Sequence, residues 1–166
     1  FSQPPVDVLE NVSACENYTL PSITNGDYYT GINGTGTMLN AGDTISSTQT
    51  IYIFKRLNAS CANQSSFTVT INSLPDIDSR ADIDICDQYV LTQLNVGNYY
   101  TEPNGGGTML PAGSVITSSQ RIYIYAVTNT TPQCSKENSF QINIFSTTAD
   151  QPSNVEVCDS CRCCEV

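Results

Sequence analysis

Eight cysteines and no histidine bound the chemistry open to this 166-residue chain. The densest group is Cys158, Cys161, Cys163 and Cys164, in the run Cys-Asp-Ser-Cys-Arg-Cys-Cys. Four thiolates so close together can surround a thiophilic ion such as Zn2+ or Cu+. The spacing is tighter than in paired-knuckle sites and no second cluster accompanies it, so disulfides between chains are the expectation there, with no resident metal or cofactor. The other four, Cys15, Cys61, Cys86 and Cys134, are far apart along the chain. Without histidine to complete a ligand set, they are expected to form structural disulfides in an oxidising, extracytoplasmic compartment. The same lack removes the usual base from any serine or cysteine nucleophile, leaving only a carboxylate pair of the glycosidase kind.

The elements that would have to position such groups are written twice. Residues 15–54 lie on residues 86–125 without a gap at an offset of 71, and 21 of the 40 aligned positions are identical, which excludes chance. Two extra residues precede the second cysteine of the later copy, after which Cys61 and Phe67 fall on Cys134 and Phe140. Val-Glu-Val-Cys at Cys158 echoes the sequences ending at Cys15 and Cys86, so a truncated or atypical third copy begins there. The organisation expected is repeat one at 1–73, repeat two at 74–146, and a linker with the start of a third at 147–166. Duplication tells against catalysis. Asp27 and Asp43 of the first copy become Asn98 and Ser114 in the second, so an active site built on them would be lost in one copy, and the chain is not expected to be an enzyme. Near-identical modules in series serve as spacers, adhesive units or polymer segments.

Short runs rich in Thr, Tyr, Ile and Val, separated by Gly, Asn, Pro and Asp, define an all-β class. Strands are expected at 18–20, 27–30, 37–39, 49–57 and 66–72, and in the second copy at 89–91, 98–101, 108–110, 120–127 and 139–145. The strand over 49–57 carries Ile51 and Ile53 on one face and Tyr52 and Phe54 on the other, so it belongs in the middle of a sheet. Its partner alternates Phe67, Val69 and Ile71 with Thr68 and Thr70, one face buried and one wet. Asn33-Gly34-Thr35-Gly36 and Asn104-Gly105-Gly106-Gly107 supply the positive-φ positions of a tight reversal. Neither leads into a helix nor carries the lysine of a phosphate-binding loop.

A net charge of −10 with six basic residues argues against nucleic acid and anionic membranes as partners, and no apolar run is long enough to span a bilayer. The stretches 72–85 and 146–157 are expected to be proline-containing joints that restrict hinge angles. Asp76, Asp78, Asp82 and Asp84 in the first of them offer a weak Ca2+ site, set against a solvated acidic linker. Tyr28-Tyr29 and Tyr99-Tyr100 put one ring on each sheet face, so Tyr29 and Tyr100 are candidate platforms for stacking sugars.

These residues resemble the immunoglobulin-like tandem repeats of very large secreted surface proteins of the Bacteroidetes, flavobacteria especially, exported by type IX secretion. The shared pattern is a C-[DE]-x-Y-x-L start, a G-[DN]-Y-Y-T strand, a G-x-G-T-M-L turn, an A-G-x-x-I-[ST]-S-[ST]-Q-x-I-Y-I-[FY] core and a C-x-x-x-x-S-F ending, over about residues 7 to 160. The run from Cys158 departs from it. The resemblance implies tandem, disulfide-stapled β-sandwiches displayed at the cell surface, acting as an adhesin shaft or a filament building block. Neighbouring modules or other copies are the implied partners, with surface glycans as a further option. A carbohydrate-binding module of a secreted polysaccharide-degrading protein is the alternative. Asp43-Thr44-Ile45 matches the short motif on which such bacteria place O-glycans, making Thr44 the candidate acceptor. In a filament, residues 1–14 would donate a strand to a neighbour's open edge. Disulfide pairing within each copy is the favoured expectation. If the first cysteine and the last hairpin lie at opposite ends of a sandwich, a bridge across copies such as Cys15 to Cys134 is the alternative.

Overall fold

The computed structural model describes residues 3–146. Cys158, Cys161, Cys163 and Cys164, expected to join chains, therefore lie outside the described residues. Two compact units divide the chain. Of the described residues, the first comprises 3–74 together with Thr128–Cys134, and the second takes Pro75–Val127 and 135–146.

In the first unit β1 (Val12–Cys15), β3 (Asp27–Tyr29), β4 (Met38–Leu39), β6 (Gln49–Asn58) and β7 (Cys61–Asn72) form one sheet, and β2 (Tyr18–Thr19) pairs with β5 (Thr44–Ile45) in a second. The larger sheet runs β1-β7-β6-β3-β4, which places β6 at its centre, as its two apolar faces require. All pairings are antiparallel except β1 with β7. A two-stranded sheet facing a larger one, with the last hairpin central and a parallel first strand at one edge, is an immunoglobulin-like sandwich. The second unit repeats it with β8 (Ile83–Cys86), β9 (Tyr89–Val90), β10 (Asn98–Glu102), β11 (Gly106–Leu110), β12 (Val115–Ile116), β13 (Gln120–Val127) and β14 (Ser135–Phe145). Its sheets are β11-β10-β13-β14-β8 and β12-β9.

Each unit has its own core. In the first, Leu20, Tyr28, Ile45, Ile51, Ile53, Phe67 and Val69 interlock between the sheets. The second uses Leu91, Tyr99, Ile116, Ile122, Ile124, Phe140 and Ile142 with Leu94 and Ile77. The chain contains no tryptophan. Tyr28 and Tyr99 occupy the central place on the third strand, edge-on to Phe67 and Phe140 at 6.3 and 6.2 Å between ring centroids.

The stretch 72–85 is not a free joint. Ile77 is buried in the second core and Ile83–Cys86 lies as a strand along β14. This corrects the linker expectation, and the reason is registration: Pro4-Pro5-Val6-Asp7 and Pro75-Asp76-Ile77-Asp78 stand 71 residues apart and do the same work. The aspartates read as a Ca2+ set are hydrogen-bonded separately. Asp78 accepts from the backbone N–H groups of Asn95 and Val96 at 3.0 and 3.1 Å, Asp82 from that of Gln141 at 2.7 Å, and Asp84 from the Asn143 amide at 2.7 Å. Among the described residues no three acidic or sulfur ligands converge.

The strand-donation expectation is corrected too. Asp7 bonds through its N–H to the Asn25 carbonyl at 2.9 Å and its carbonyl accepts from Ser65 at 2.5 Å. Val6, Leu9 and Val12 pack on the first core. The segment covers its own sandwich, because its apolar side chains fill the space beside β7. Among the described residues no helix is long and apolar enough to cross a membrane.

Candidate functional site: a bridged hairpin

The site that the structure builds is a disulfide. Cys15 ends β1 in register with Asn72 at the end of β7, whereas Cys61 opens β7, eleven residues earlier. At about 3.3 Å per residue those cysteines are separated by roughly 36 Å of strand. Cys86 likewise faces Phe145, while Cys134 immediately precedes β14, at the far end of the same strand. A bridge spans only about 4.4–6.8 Å between Cα atoms, so neither copy can close one internally.

Cys15 instead bonds Cys134, 119 residues on, with Cα atoms 5.6 Å apart. This corrects the favoured within-copy pairing, and the reason is the one that the sandwich geometry anticipated. Cys86 is disulfide-bonded as well, and not to Cys134, which is committed to Cys15. Cys61 takes no part in the Cys15 bridge.

The turn between β13 and β14 makes the bridge possible. In the first copy the ladder runs to Asn58 opposite Cys61; in the second it stops at Val127 opposite Ser135, and the two extra residues belong to an open loop, Thr128–Cys134. The Thr128 N–H donates to the Cys134 carbonyl at 2.8 Å, and the Cys134 N–H to the Thr128 hydroxyl at 2.9 Å. Thr130 donates to the Pro132 carbonyl at 2.8 Å. The Asn72 amide reaches the carbonyls of Thr131 and Pro132, both at 3.4 Å. Cys134 is fully buried. Loop and strand end thus meet through hydrogen bonds as well as sulfur.

The remaining predicted residues do not gather around this bridge. Tyr29 and Tyr100 are half-buried on the outer face of their sheets, edge-on to Phe54 and Tyr125. Each belongs to a cross-strand row that recurs in both units: Met38, Tyr29, Tyr52 and Ser66, and Met109, Tyr100, Tyr123 and Ser139. Arg56 stacks over Phe54 at 5.5 Å in the first unit. Thr44 is exposed on β5, and the adjacent Asp43 carboxylate accepts from the Asn40 N–H at 2.8 Å.

Sequence reasoning missed the first strand of each unit and the loop clamp beside it. Asp7 accepts from the Thr24 N–H at 2.6 Å and from the Asn25 amide at 3.0 Å, as Asp78 does at Asn95. These bonds, Thr24 first for Asp7 and Asn95 first for Asp78, hold both carboxyls below the usual range. Extending the 71-residue offset upstream of Cys15 would have revealed the pair. Burial pushes the Tyr28 hydroxyl up; it donates to the Pro21 carbonyl at 3.2 Å. Tyr99, its counterpart, keeps a buried hydroxyl with no hydrogen-bond partner.

No protein-family model and no curated protein matches the chain. Among solved structures it is similar to a protocadherin gammaB7 EC3-6 cis-dimer (13% identity, 87% of this chain and 48% of that one, TM-score 0.32). It is also similar to titin domains z1z2 in complex with telethonin (11% identity, 89% and 96%, TM-score 0.30) and to mouse cadherin-23 EC22-24 (12% identity, 87% and 65%, TM-score 0.29). The chain spans about half the length of the protocadherin it matches.

Proposed function

We propose that this chain is a structural or adhesive repeat segment of a secreted bacterial cell-surface protein, working as an adhesin shaft or as a building block of an extracellular filament. The observation that carries the reading is the Cys15–Cys134 bridge. It requires an oxidising compartment, and it spends its covalent bond on tying the last hairpin of one repeat to the first strand of the one before. Repeats 1–73 and 74–146 then act mechanically, and repetition multiplies weak contacts into avidity. The partners are neighbouring repeats and other copies. The motif resemblance supports a Bacteroidetes origin with type IX export, in which Thr44 carries an O-glycan and the cysteines from Cys158 to Cys164 join chains.

Protease shaving of intact producing cells, followed by peptide mass spectrometry, tests this. Peptides from residues 3–146 are expected in the shaved fraction; their release only after lysis would overturn the reading. The recurring Tyr29 and Tyr100 rows favour a second reading, a carbohydrate-binding module. Glycan-array binding lost on Tyr29→Ala and Tyr100→Ala would replace the first by the second.

A further inference from the structure

We propose that the Cys15–Cys134 bridge is a force shunt: tension applied along the chain passes from Cys15 directly to Cys134 and cannot draw out the residues between them. Covalent topology dictates this path. A pulled chain becomes taut along its shortest covalent path, and a disulfide is a shorter path than the 119-residue separation it closes. Load entering at the N-terminus runs through β1, crosses the sulfur–sulfur bond, and leaves through β14. Everything from β2 to β13 lies in the closed loop. That includes Leu20, Tyr28, Ile45, Ile51, Ile53, Phe67 and Val69, the whole buried core of the first unit. Of the second core only Phe140 and Ile142 sit on the loaded strand.

The placement of the bridge suits this role. Cys15 is the last residue of a parallel edge strand held along β7 over four register positions, so load reaching it shears that short ladder. Cys134 directly precedes β14, which is zipped to β13 from Ser135 to Ile142. A bridge inside one copy would shield that copy alone. This one shields most of two sandwiches with a single bond. Its removal requires two electrons and two protons, which a dithiol supplies: the disulfide becomes two thiols as the dithiol closes to its own disulfide. Reduction would convert a short, stiff link into a long, extensible one.

The purpose of the shunt rests on the load-bearing function proposed above, whereas its physics does not; if shaving finds the chain inside cells while the tether result holds, the function falls and the shunt stands. The test is single-molecule stretching of the full chain, with handles ligated at Phe1 and Val166 without thiol chemistry. In the absence of reductant the fully extended length should fall short of that in dithiothreitol by the closed loop, on the order of 400 Å at about 3.5 Å per residue. Cys15→Ser without reductant should extend beyond the wild type, assigning the shortening to this bridge. Equal lengths with and without dithiothreitol, or a Cys15→Ser chain no longer than the wild type, would overturn the proposal. Should the variant fold poorly, the size of the wild-type increment on reduction still decides, because Cys86 is bridged too and an increment well short of about 400 Å would not match the 119-residue separation and would overturn the proposal.

Discussion

Asp7 and Asp78 each hold the loop between the second and third strands of their unit, through backbone N–H groups at Thr24 and at Asn95 and Val96. Both have a folded-state pKa below the ordinary 3.8. A lowered carboxylate pKa contributes stability that is present above the unfolded value and lost as pH falls through the folded one. Urea midpoints should therefore drop below about pH 4, and the double variant Asp7→Asn/Asp78→Asn should show a flatter acid limb than the wild type. An unchanged limb would remove these residues from the acid response. Gly34 and Gly105 are the second residue-scale case. Their φ values are +71° and +69°, and an added Cβ would lie 2.7 Å from the Phe54 ring and 2.8 Å from that of Tyr125. Gly34→Ala should cost about 1–2 kcal/mol from the left-handed backbone alone, read as a lower melting temperature. Those glycines were legible in sequence because turn chemistry is local. The aspartates were not: a carboxylate reads as solvated until the N–H groups it serves are known.

At the scale of elements, the long hairpins were legible and the short edge strands were not. Tyr52 and Phe54 alternating with Ile51 and Ile53 can only be central, and β6 is. Val12–Cys15 and Ile83–Cys86 are four residues each, with no fully buried side chain, and Asp82 and Asp84 around Ile83 gave the second the look of a linker. What makes it a strand is the register with β14, a long-range fact. Phe67 and Phe140 anchor these sheets with 2% and 1% exposure, so Phe140→Ala should destabilise by about 3–5 kcal/mol in denaturant titration. The loop Thr128–Cys134 makes a sharper case. Deleting Thr130 and Thr131 restores the hairpin length of the first copy and should leave Cys134 unable to meet Cys15. Thiol titration of the denatured, unreduced protein should then find two more thiols than in the wild type. An unchanged thiol count would mean that the extra length is not what brings the cysteines together.

For the whole molecule, the repeat, the all-β class and bridged states for Cys15, Cys86 and Cys134 could be read from the chain, but the pairing could not. Spacing reports how far apart two cysteines are along the chain, not at which end of a sandwich each lies. Only the parallel register of β1 on β7, which sets Cys15 beside Asn72 rather than Cys61, decides between closure within a copy and closure across copies. By the chain-entropy relation a loop of this length is worth roughly 4–5 kcal/mol, a large part of what a pair of small sandwiches has to spare. The most direct test of the account is peptide mapping of the unreduced protein by mass spectrometry. The expected product is a linked peptide pair containing Cys15 and Cys134. Linked pairs of Cys15 with Cys61 and of Cys86 with Cys134 would contradict the cross-repeat bridge, and with it the mechanical function built on it.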